Sequence, residues 1–503
     1  MTQSPCDVPL DSPAPAEAAS SFPASRVLLA VAPANDSLGR VTRQSLVNMT
    51  GGLVAQGLKF LVLILIAREF STAGFGEFSF AWAVYSFIYI IANFGLPTFG
   101  ARRVSQSGAI GSRFALEMAL CRAGLALAGT LVAVLFVLVQ PHTTKAEVWL
   151  VGLLGASTVA QAGLFDWAFQ GLGRLDISAL LNISWQALWL AFTRIGFSAG
   201  AGLQFVGAAL LLTAIVTSGF SYVLLRRYWS RETLPPAKEM VNRCGQLFRS
   251  GATLGTATVV ITVLVWSDTI IVRLFRGEQA VSFYAAGNRA ALALAMLASL
   301  YVQGAFPALT QAASRSRSDF DRYFQQSYQD LALYFLPGAL WAVFYAPEII
   351  LLLFKRPEYL AATPVFRIFQ ITFLLTAFWN LCGMGLFVAF HRDREYQNIL
   401  LAAAVLGVPL CVVLTVFFGI AATSAGVMVS QGLCLALFCW KGRKVLKVNH
   451  RRALLWPFTA GMGVSLAGRA FGWGLVGSGA ALAAVYAAML LWRYRSVLQP
   501  CES

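Results

Sequence analysis

The chain has 503 residues, of which 58% are hydrophobic and only 12% are charged. Soluble globular proteins carry about 25% charged residues, so this composition excludes a soluble domain and indicates a membrane protein with many spans. The formal net charge is +16, which we attribute to basic residues in cytoplasmic loops rather than to nucleic-acid binding.

The chain divides into a polar N-terminal part and a long series of apolar segments. Residues 1–44 are rich in Ala, Pro, Ser and Asp, a composition that predicts a disordered cytoplasmic tail. From residue 45 onwards, fourteen apolar segments are about long enough to cross a bilayer as helices. The predicted spans are 45–67, 78–101, 116–139, 146–170, 178–199, 201–225, 251–272, 280–305, 331–354, 363–390, 396–419, 421–440, 453–471 and 473–492.

A long-range repeat runs through these spans. The stretch 48–103 contains an apolar run, Arg-Glu-Phe, a polar turn, an aromatic-rich apolar run, Pro and Arg; the stretch 251–315 has the same order with Arg-Leu-Phe. Because six spans return the chain to the same side, this repeat predicts two six-helix lobes in parallel orientation around a central cavity. The fold class expected is therefore an all-α polytopic membrane protein with two additional C-terminal helices.

The predicted domain boundaries follow from the repeat and from charge. The N-lobe is 45–225, the C-lobe is 251–440, and the basic segment 226–250 between them is an inter-lobe linker on the cytoplasmic side. Residues 441–503 contain a basic loop, the last two spans and a tail. Most Lys and Arg residues fall in loops on the N-terminal side, which predicts that both termini are cytoplasmic.

Catalytic and metal-binding signatures are missing from the sequence. The eight cysteines form no CxxC pair, and the three histidines, His142, His391 and His450, are far apart. No nucleophile-elbow or phosphate-binding loop is present. We therefore expect no enzyme activity, no metal and no cofactor.

The informative residues are charges and polar stripes inside the spans, since a charge at the bilayer centre costs at least about 2.5–3.5 kcal/mol. Lys59 shares one helix face with Asn48, Gly52 and Gln56. It either lines the cavity or extends to the membrane surface. Arg289 and, nearer the cytoplasmic end, Arg122 are further deep cations, and such cations suit an anionic headgroup, phosphate in particular.

The remaining candidates are aromatic or acidic. Trp82, Tyr85, Tyr89 and Asn93 form a second stripe, which either contacts sugar rings or packs between helices. Asp268 is either a proton or cation site or the partner of Arg289 in a structural ion pair.

Five stretches resemble segments of the polysaccharide transporter family, the Wzx-type flippases of the MOP exporter superfamily. They are FGLPTFGARRVS (94–105), FDWAFQGLGRLD (165–176), WSDTIIVRLF (266–275) with VSFYAAGNR (281–289), EYLAATPVFRIF (358–369) and GIAATSAGVMVSQ (419–431).

This resemblance implies alternating access between two lobes in the bacterial inner membrane. The substrate implied is an undecaprenyl-diphosphate-linked oligosaccharide, moved from the cytoplasmic to the periplasmic leaflet for exopolysaccharide or O-antigen synthesis. The resemblance also implies coupling to H⁺ or Na⁺, with Asp268 matching the family's second-lobe Asp. The partners expected are the bilayer, a polysaccharide polymerase and chain-length or export proteins.

Two other functions stay open at this point. A MATE-type multidrug or cation antiporter predicts twelve spans and deep acidic residues, whereas the deep positions here favour cations. A membrane glycosyltransferase or polymerase predicts larger extracytoplasmic loops than this chain has.

Overall fold

The computed structural model of the protein describes residues 36–140, 143–230, 232, 237–390, 392–443 and 450–498. These residues are nearly all helical, because apolar chain in a bilayer can satisfy its backbone groups internally only in helices or closed barrels. The α-helices are α1 Asp36–Glu69, α2 Thr72–Asn93, α3 Leu96–Ser107, α4 Ser112–Val139, α5 Lys145–Gln161, α6 Asp166–Gly171, α7 Leu175–Ser198, α8 Gln204–Leu225, α9 Ala237–Arg315, α10 Arg317–Phe344, α11 Ala346–Phe354, α12 Thr363–Gly383, α13 Asp393–Phe418, α14 Ile420–Gly442, α15 His450–Ala470 and α16 Leu475–Leu498.

The short elements join these helices. Strands β1 Ile110–Gly111 and β2 Trp229–Ser230 form a parallel pair, which ties the chain after α8 to the start of α4. A 3₁₀ helix, Pro357–Ala362, precedes α12, and a π-helical turn, Met384–Val388, follows it.

The predicted membrane fold is confirmed. In the part of the chain that the structure describes, ten helices are long and apolar enough to cross a membrane, and the bent pair α10 and α11 makes an eleventh span. Helix α9 is broken in the middle but is counted as one of the ten helices. The apolar part of α16 is shorter than these helices and is not counted. The span number agrees approximately with the predicted fourteen.

Two predicted boundaries differ from the structure. Helix α1 begins at Asp36, inside the predicted disordered tail 1–44; residues 1–35 lie outside the described part of the chain. Helix α9 begins at Ala237, inside the predicted linker 226–250, and continues directly into the seventh span. Ion pairs hold this extension to α4, since Arg113 contacts Glu239 and Arg243 contacts Glu117. The second half of the linker is therefore a helix docked on the first group of helices.

Gly277 separates the seventh and eighth spans within α9. Its dihedral angles, φ 80° and ψ −176°, lie in a region that only glycine adopts without strain. We expect Gly277→Ala to lower the free energy of unfolding by about 1–3 kcal/mol, measurable as a lower thermal midpoint in detergent. Gly57→Ala is a control, because Gly57 is helical and a Cβ there would meet no atom within 4 Å.

The helix pairings have the pattern expected from the predicted repeat. In the first group α1 packs on α7, and α5 packs on both α8 and α4. In the second group α9 packs on α13, and α12 packs on both α14 and α10. Each pairing in the second group joins the spans that correspond to its counterpart in the first. Helix α15 packs on α10, outside the repeat.

The bundle has two faces, named here from one residue on each. The Arg68 face contains the end of α1 and the starts of α2, α5 and α12; the Arg113 face contains the starts of α4 and α7. Arginines join the two groups of helices at the Arg68 face. Arg68 donates to the carbonyl oxygens of Leu353 and Leu352, at 2.7 and 3.0 Å. Arg356 donates to those of Phe70 and Arg68, at 2.8 and 2.9 Å. The two groups are thus sealed together at this face.

Candidate transport site

Lys59 lies deep in α1 and turns towards α2. It is nine residues before Arg68, which places its backbone about 14 Å from the Arg68 face. Its Nζ lies 5.4 Å from the centre of the Trp82 ring, and Trp82 is itself ten residues inside α2. A surface-seeking lysine would extend its amine towards Arg68 instead. The side chain is half-buried, and its amine sits over an aromatic face, which attracts a cation.

The Trp82 ring is held in place by its neighbours. It stacks on Trp189 of α7, with ring centres 5.1 Å apart and 10° between the ring planes. It also contacts the Tyr85 ring at 4.9 Å. The sequence singled out Trp82 but not Trp189, which lies one turn after Trp185 in an otherwise ordinary apolar span.

Arg289 provides a second deep cation from the other group of helices. It lies twelve residues beyond the break at Gly277, about 18 Å from the Arg68 face. Its guanidinium carbon lies 4.4 Å from the centre of the Trp266 ring. Within the described chain, no ion pair to Arg289 is formed.

Lys59 and Arg289 come from different groups of helices. The positive charge of Arg289 lies within electrostatic range of the Lys59 amine. Two like charges repel most strongly where water is scarce. Burial of both cations is therefore costly unless negative charge or water compensates them, and we name the pair with Trp82 and Trp266 the cation pair site.

Asp268 lies in the C-lobe and does not form the direct ion pair with Arg289 considered from the sequence. Its Oδ2 accepts a 2.7 Å hydrogen bond from the Tyr284 hydroxyl, and its Oδ1 accepts from the amide and hydroxyl of Thr269. Tyr284 is completely buried. The Arg289 charge still reaches Asp268, so the carboxylate influences the cation pair site from within its own lobe.

A small cavity adjoins the Asp268 carboxylate. Its walls come from α9, α13 and α14 and are formed by Leu264, Ser267, Asp268, Gly407, Val408, Cys411, Val427 and Ser430. Across the described residues no group of three or more His, Cys, Asp or Glu could hold a metal ion.

Arg122 is not brought to the cation pair site. It is buried inside the first group of helices, where its Nη1 donates to the carbonyl oxygens of Leu164 and Ala162, at 3.0 and 3.4 Å. These carbonyls lie where the fourth span is interrupted between α5 and α6. Arg122 thus satisfies backbone acceptors that the helix break leaves unpaired, and Asp166 lies within range of its charge.

The predicted polar stripe of α2 separates into buried and exposed members. The Tyr85 hydroxyl faces Ser157 and Thr158 inside the lobe. Tyr89 is 39% exposed, whereas Asn93 is buried and donates to the carbonyl oxygen of Tyr89. Gln56 of α1 is exposed. Besides the half-buried Lys59, Tyr89 and Gln56 are therefore the predicted contact residues of these stripes that have exposed side chains.

The fold defines a class of protein. The chain has the helical bundle of transporters in the MOP superfamily. It is similar to the lipid II flippase MurJ in an inward closed conformation, with a TM-score of 0.63 and 11% identity, covering 88% of this chain and 99% of that one. It is also similar to an inward-facing MATE family multidrug resistance transporter, with a TM-score of 0.60 and 14% identity, covering 80% and 94%.

A third similar structure is a MOP superfamily transporter from Pyrococcus furiosus, with a TM-score of 0.53 and 14% identity, covering 84% of this chain and 97% of that one. At these identities the likeness shows the fold alone. No curated protein sequence matches the chain.

The family model described as "Polysaccharide biosynthesis protein" matches residues 41–313. The chain therefore belongs to the polysaccharide biosynthesis protein family, and it is a multi-pass membrane protein with the fold of a transporter. The family resemblance predicted from the five sequence stretches is confirmed.

Proposed function

We propose that the protein is a flippase for a lipid-linked oligosaccharide. The substrate is an undecaprenyl-diphosphate-linked repeat unit that moves from the cytoplasmic to the periplasmic leaflet of the bacterial inner membrane. The sugar and diphosphate pass between the lobes while the lipid tail stays in the bilayer. A polysaccharide polymerase and chain-length or export proteins act on the product.

One observation carries this proposal: Lys59 and Arg289, one from each group of helices, lie deep in the bundle within electrostatic range of each other, and neither forms an ion pair with a described residue. A diphosphate carries the charge that two cations require. An arginine pairs with phosphate through two parallel hydrogen bonds, and a lysine contributes a point charge. Because each cation comes from a different lobe, an anion bound to both cations contacts both halves of the transporter.

The orientation proposed follows from the distribution of basic residues. The Arg113 face is cytoplasmic and the Arg68 face is periplasmic. The arginine bonds at the Arg68 face then close the periplasmic side, and the substrate reaches the cation pair site from the cytoplasm. Tyr89 and Gln56, exposed on the cytoplasmic side of Lys59, contact the sugars; Tyr85 and Asn93 support Tyr89 from within the lobe.

Asp268 is the proposed coupling site for H⁺ or Na⁺. Its carboxylate is buried beside a small cavity and lies within range of Arg289. Loading or unloading a cation there changes the field at the anion site.

We therefore expect Asp268→Asn to abolish acceleration by an ion gradient, while exchange of substrate without a gradient continues. Transport into proteoliposomes with and without H⁺ and Na⁺ gradients measures this. Asp176→Asn is the control, since Asp176 pairs with exposed Arg174 on the Arg113 face. A full gradient response in Asp268→Asn would remove Asp268 from the coupling mechanism.

The alternative functions receive no specific support from the site. A cationic drug would be repelled by Lys59 and Arg289. A glycosyltransferase or polymerase would need catalytic groups in a large extracytoplasmic domain, and the segments that connect helices at the Arg68 face are short in the described chain.

Deletion of the gene in its host tests the proposal. Surface polysaccharide should be lost, and labelled lipid-linked oligosaccharide should accumulate in the membrane fraction; re-expression should reverse both effects. Unchanged polysaccharide, or the appearance of sensitivity to cationic drugs instead, would contradict the proposed substrate class.

A further inference from the structure

Four charged residues meet at the Arg68 face, away from the cation pair site. They are Glu77 at the start of α2, Glu147 at the start of α5, and Arg273 and Glu278 on the two sides of the break in α9. Nη2 of Arg273 lies 3.3 Å from Glu147 Oε2 and 2.9 Å from Glu278 Oε1. Glu77 lies within range of the other three charges. We name these four residues the seal cluster.

The seal cluster lies where the two lobes are in close contact. A Cβ at Gly76 of α2 would overlap the carbonyl oxygen of Glu278, so the two backbones touch. The guanidinium of Arg273 also lies over the Phe80 ring of α2, 5.5 Å from its centre. The α2 and α5 members belong to one lobe and the α9 members to the other. Separation of the lobes at this face must therefore break the cluster.

The cluster has more negative than positive charge. One guanidinium faces three carboxylates, and a single nitrogen of Arg273 is shared between two of them. Thr144 also lies beside Glu77, and its hydroxyl accepts from the amide of Glu147. Lys145 is exposed and forms no ion pair with a described residue.

Glu147 is the most constrained member. Its side chain has no exposed surface, and its Oε1 has no hydrogen-bond partner among the described residues. A buried anion with an unpaired oxygen is costly, and the neutral acid removes that cost. When the lobes separate, water reaches the carboxylates and the ionised forms are stabilised again.

We propose that the seal cluster is a proton-binding site that closes the Arg68 face: the sealed state holds a proton on its carboxylates, and the open state releases it to water. The proton is shared by Glu77 and Glu147, with Glu147 the principal site. Since the sealed state binds more protons than the open state, a lower pH at this face favours sealing and a higher pH favours opening. This site is independent of the oligosaccharide and of the coupling role of Asp268.

Distances between spin labels in purified protein test the proposal without any substrate. Ser198 and Phe418 are exposed at the ends of α7 and α13 on the Arg68 face, one in each lobe. Labels on Ser198→Cys and Phe418→Cys, in a background without the native cysteines, report opening of that face in lipid nanodiscs. We expect the ratio of long to short distances to rise between pH 5.5 and pH 8, by up to about tenfold per pH unit for one proton.

Three variants assign that response to the cluster. Glu147→Gln should be sealed at both pH values, because the amide mimics the neutral acid. Arg273→Gln should be open at both, because it removes the only cation of the cluster. Glu348→Gln is the matched control: Glu348 pairs with Arg469 at the same face but on helices α11 and α15, and its pH response should equal that of the wild type.

Several outcomes would overturn the proposal. They are distances that do not change with pH in the wild type, a full response in Glu147→Gln, and a response lost in Asp268→Asn instead. If Glu147→Gln does not fold, Glu77→Gln and Glu278→Gln apply the same test, because each removes one negative charge. The distance measurements need no substrate, so they remain valid if the transport assay fails. The seal-cluster proposal and the proposed flippase function can therefore fail independently.

Discussion

Lys59→Ala and Arg289→Ala should each lower the rate of oligosaccharide translocation by about 10- to 150-fold. A hydrogen bond to a charged group contributes about 1.5–3 kcal/mol, and every 1.4 kcal/mol is a factor of ten. Both cations lie deep in the bundle, one in each group of helices, so we expect no solvent-exposed residue to replace them. The measurement is the initial translocation rate in proteoliposomes at equal amounts of inserted protein.

A conservative and a distant substitution distinguish the effect of the lost charge from an effect on folding. Lys59→Arg should retain most of the rate, because it keeps the charge over Trp82. Arg194→Ala should be close to the wild type, since Arg194 is an exposed cation on α7. Wild-type rates in both Lys59→Ala and Arg289→Ala would remove the cation pair site from the mechanism.

Arg356→Ala should open the Arg68 face by about tenfold or more in the ratio of open to sealed protein. It removes two hydrogen bonds from a guanidinium to backbone carbonyls of the other lobe. We assign about 1 kcal/mol to each, below the range of about 1.5–3 kcal/mol for charged groups, because the site is partly exposed to solvent. Hydrogen exchange at a fixed pH, followed in peptides covering 64–75 and 348–360, measures the opening.

A substitution of the neighbouring lysine is the control for Arg356→Ala. Lys355→Gln changes an exposed cation one residue away that makes no hydrogen bond with the described lobes. Its exchange rates should equal those of the wild type. If Arg356→Ala protects these peptides as well as the wild type does, the arginine bonds do not hold the lobes together.

The repeat and the span pattern allowed most of the fold to be predicted from the sequence. Apolar length fixes how many times the chain crosses the bilayer, and the correspondence of 48–103 with 251–315 led to two lobes. The sequence did not show that α9 runs unbroken from the linker into the seventh span. Its first turns are polar, and only the ion pairs with Arg113 and Glu117 explain why they are helical.

The site was harder to predict because depth in the membrane does not determine which way a side chain points. Lys59, Arg289 and Arg122 all looked like deep cations. Two of them, one from each group of helices, lie within electrostatic range of each other, whereas Arg122 binds the carbonyls of a helix break inside one lobe. That break includes Ala162 and Gly163. Nothing in these residue types indicates that the backbone carbonyls there need a buried cation as hydrogen-bond donor.

The acidic residues of the seal cluster were overlooked for a different reason. Glu147 follows Thr144 at the spacing of a helix N-terminal capping box, which explains a Glu at that position without any contact to the other lobe. Its pairing with Arg273 spans 126 residues of sequence. Only the packing of α2 and α5 against α9 reveals that three carboxylates share one guanidinium.

Translocation by purified protein in liposomes tests directly whether the cation pair site recognises a diphosphate. The substrates to compare are a polyprenyl-diphosphate-linked oligosaccharide and the same oligosaccharide on a polyprenyl monophosphate, with exposure of the sugar on the opposite leaflet as the readout. We predict rapid translocation of the diphosphate, much slower translocation of the monophosphate, and loss of this preference in the Lys59→Ala, Arg289→Ala double variant. Equal rates for the two lipids, or no translocation of either, would contradict diphosphate recognition by Lys59 and Arg289.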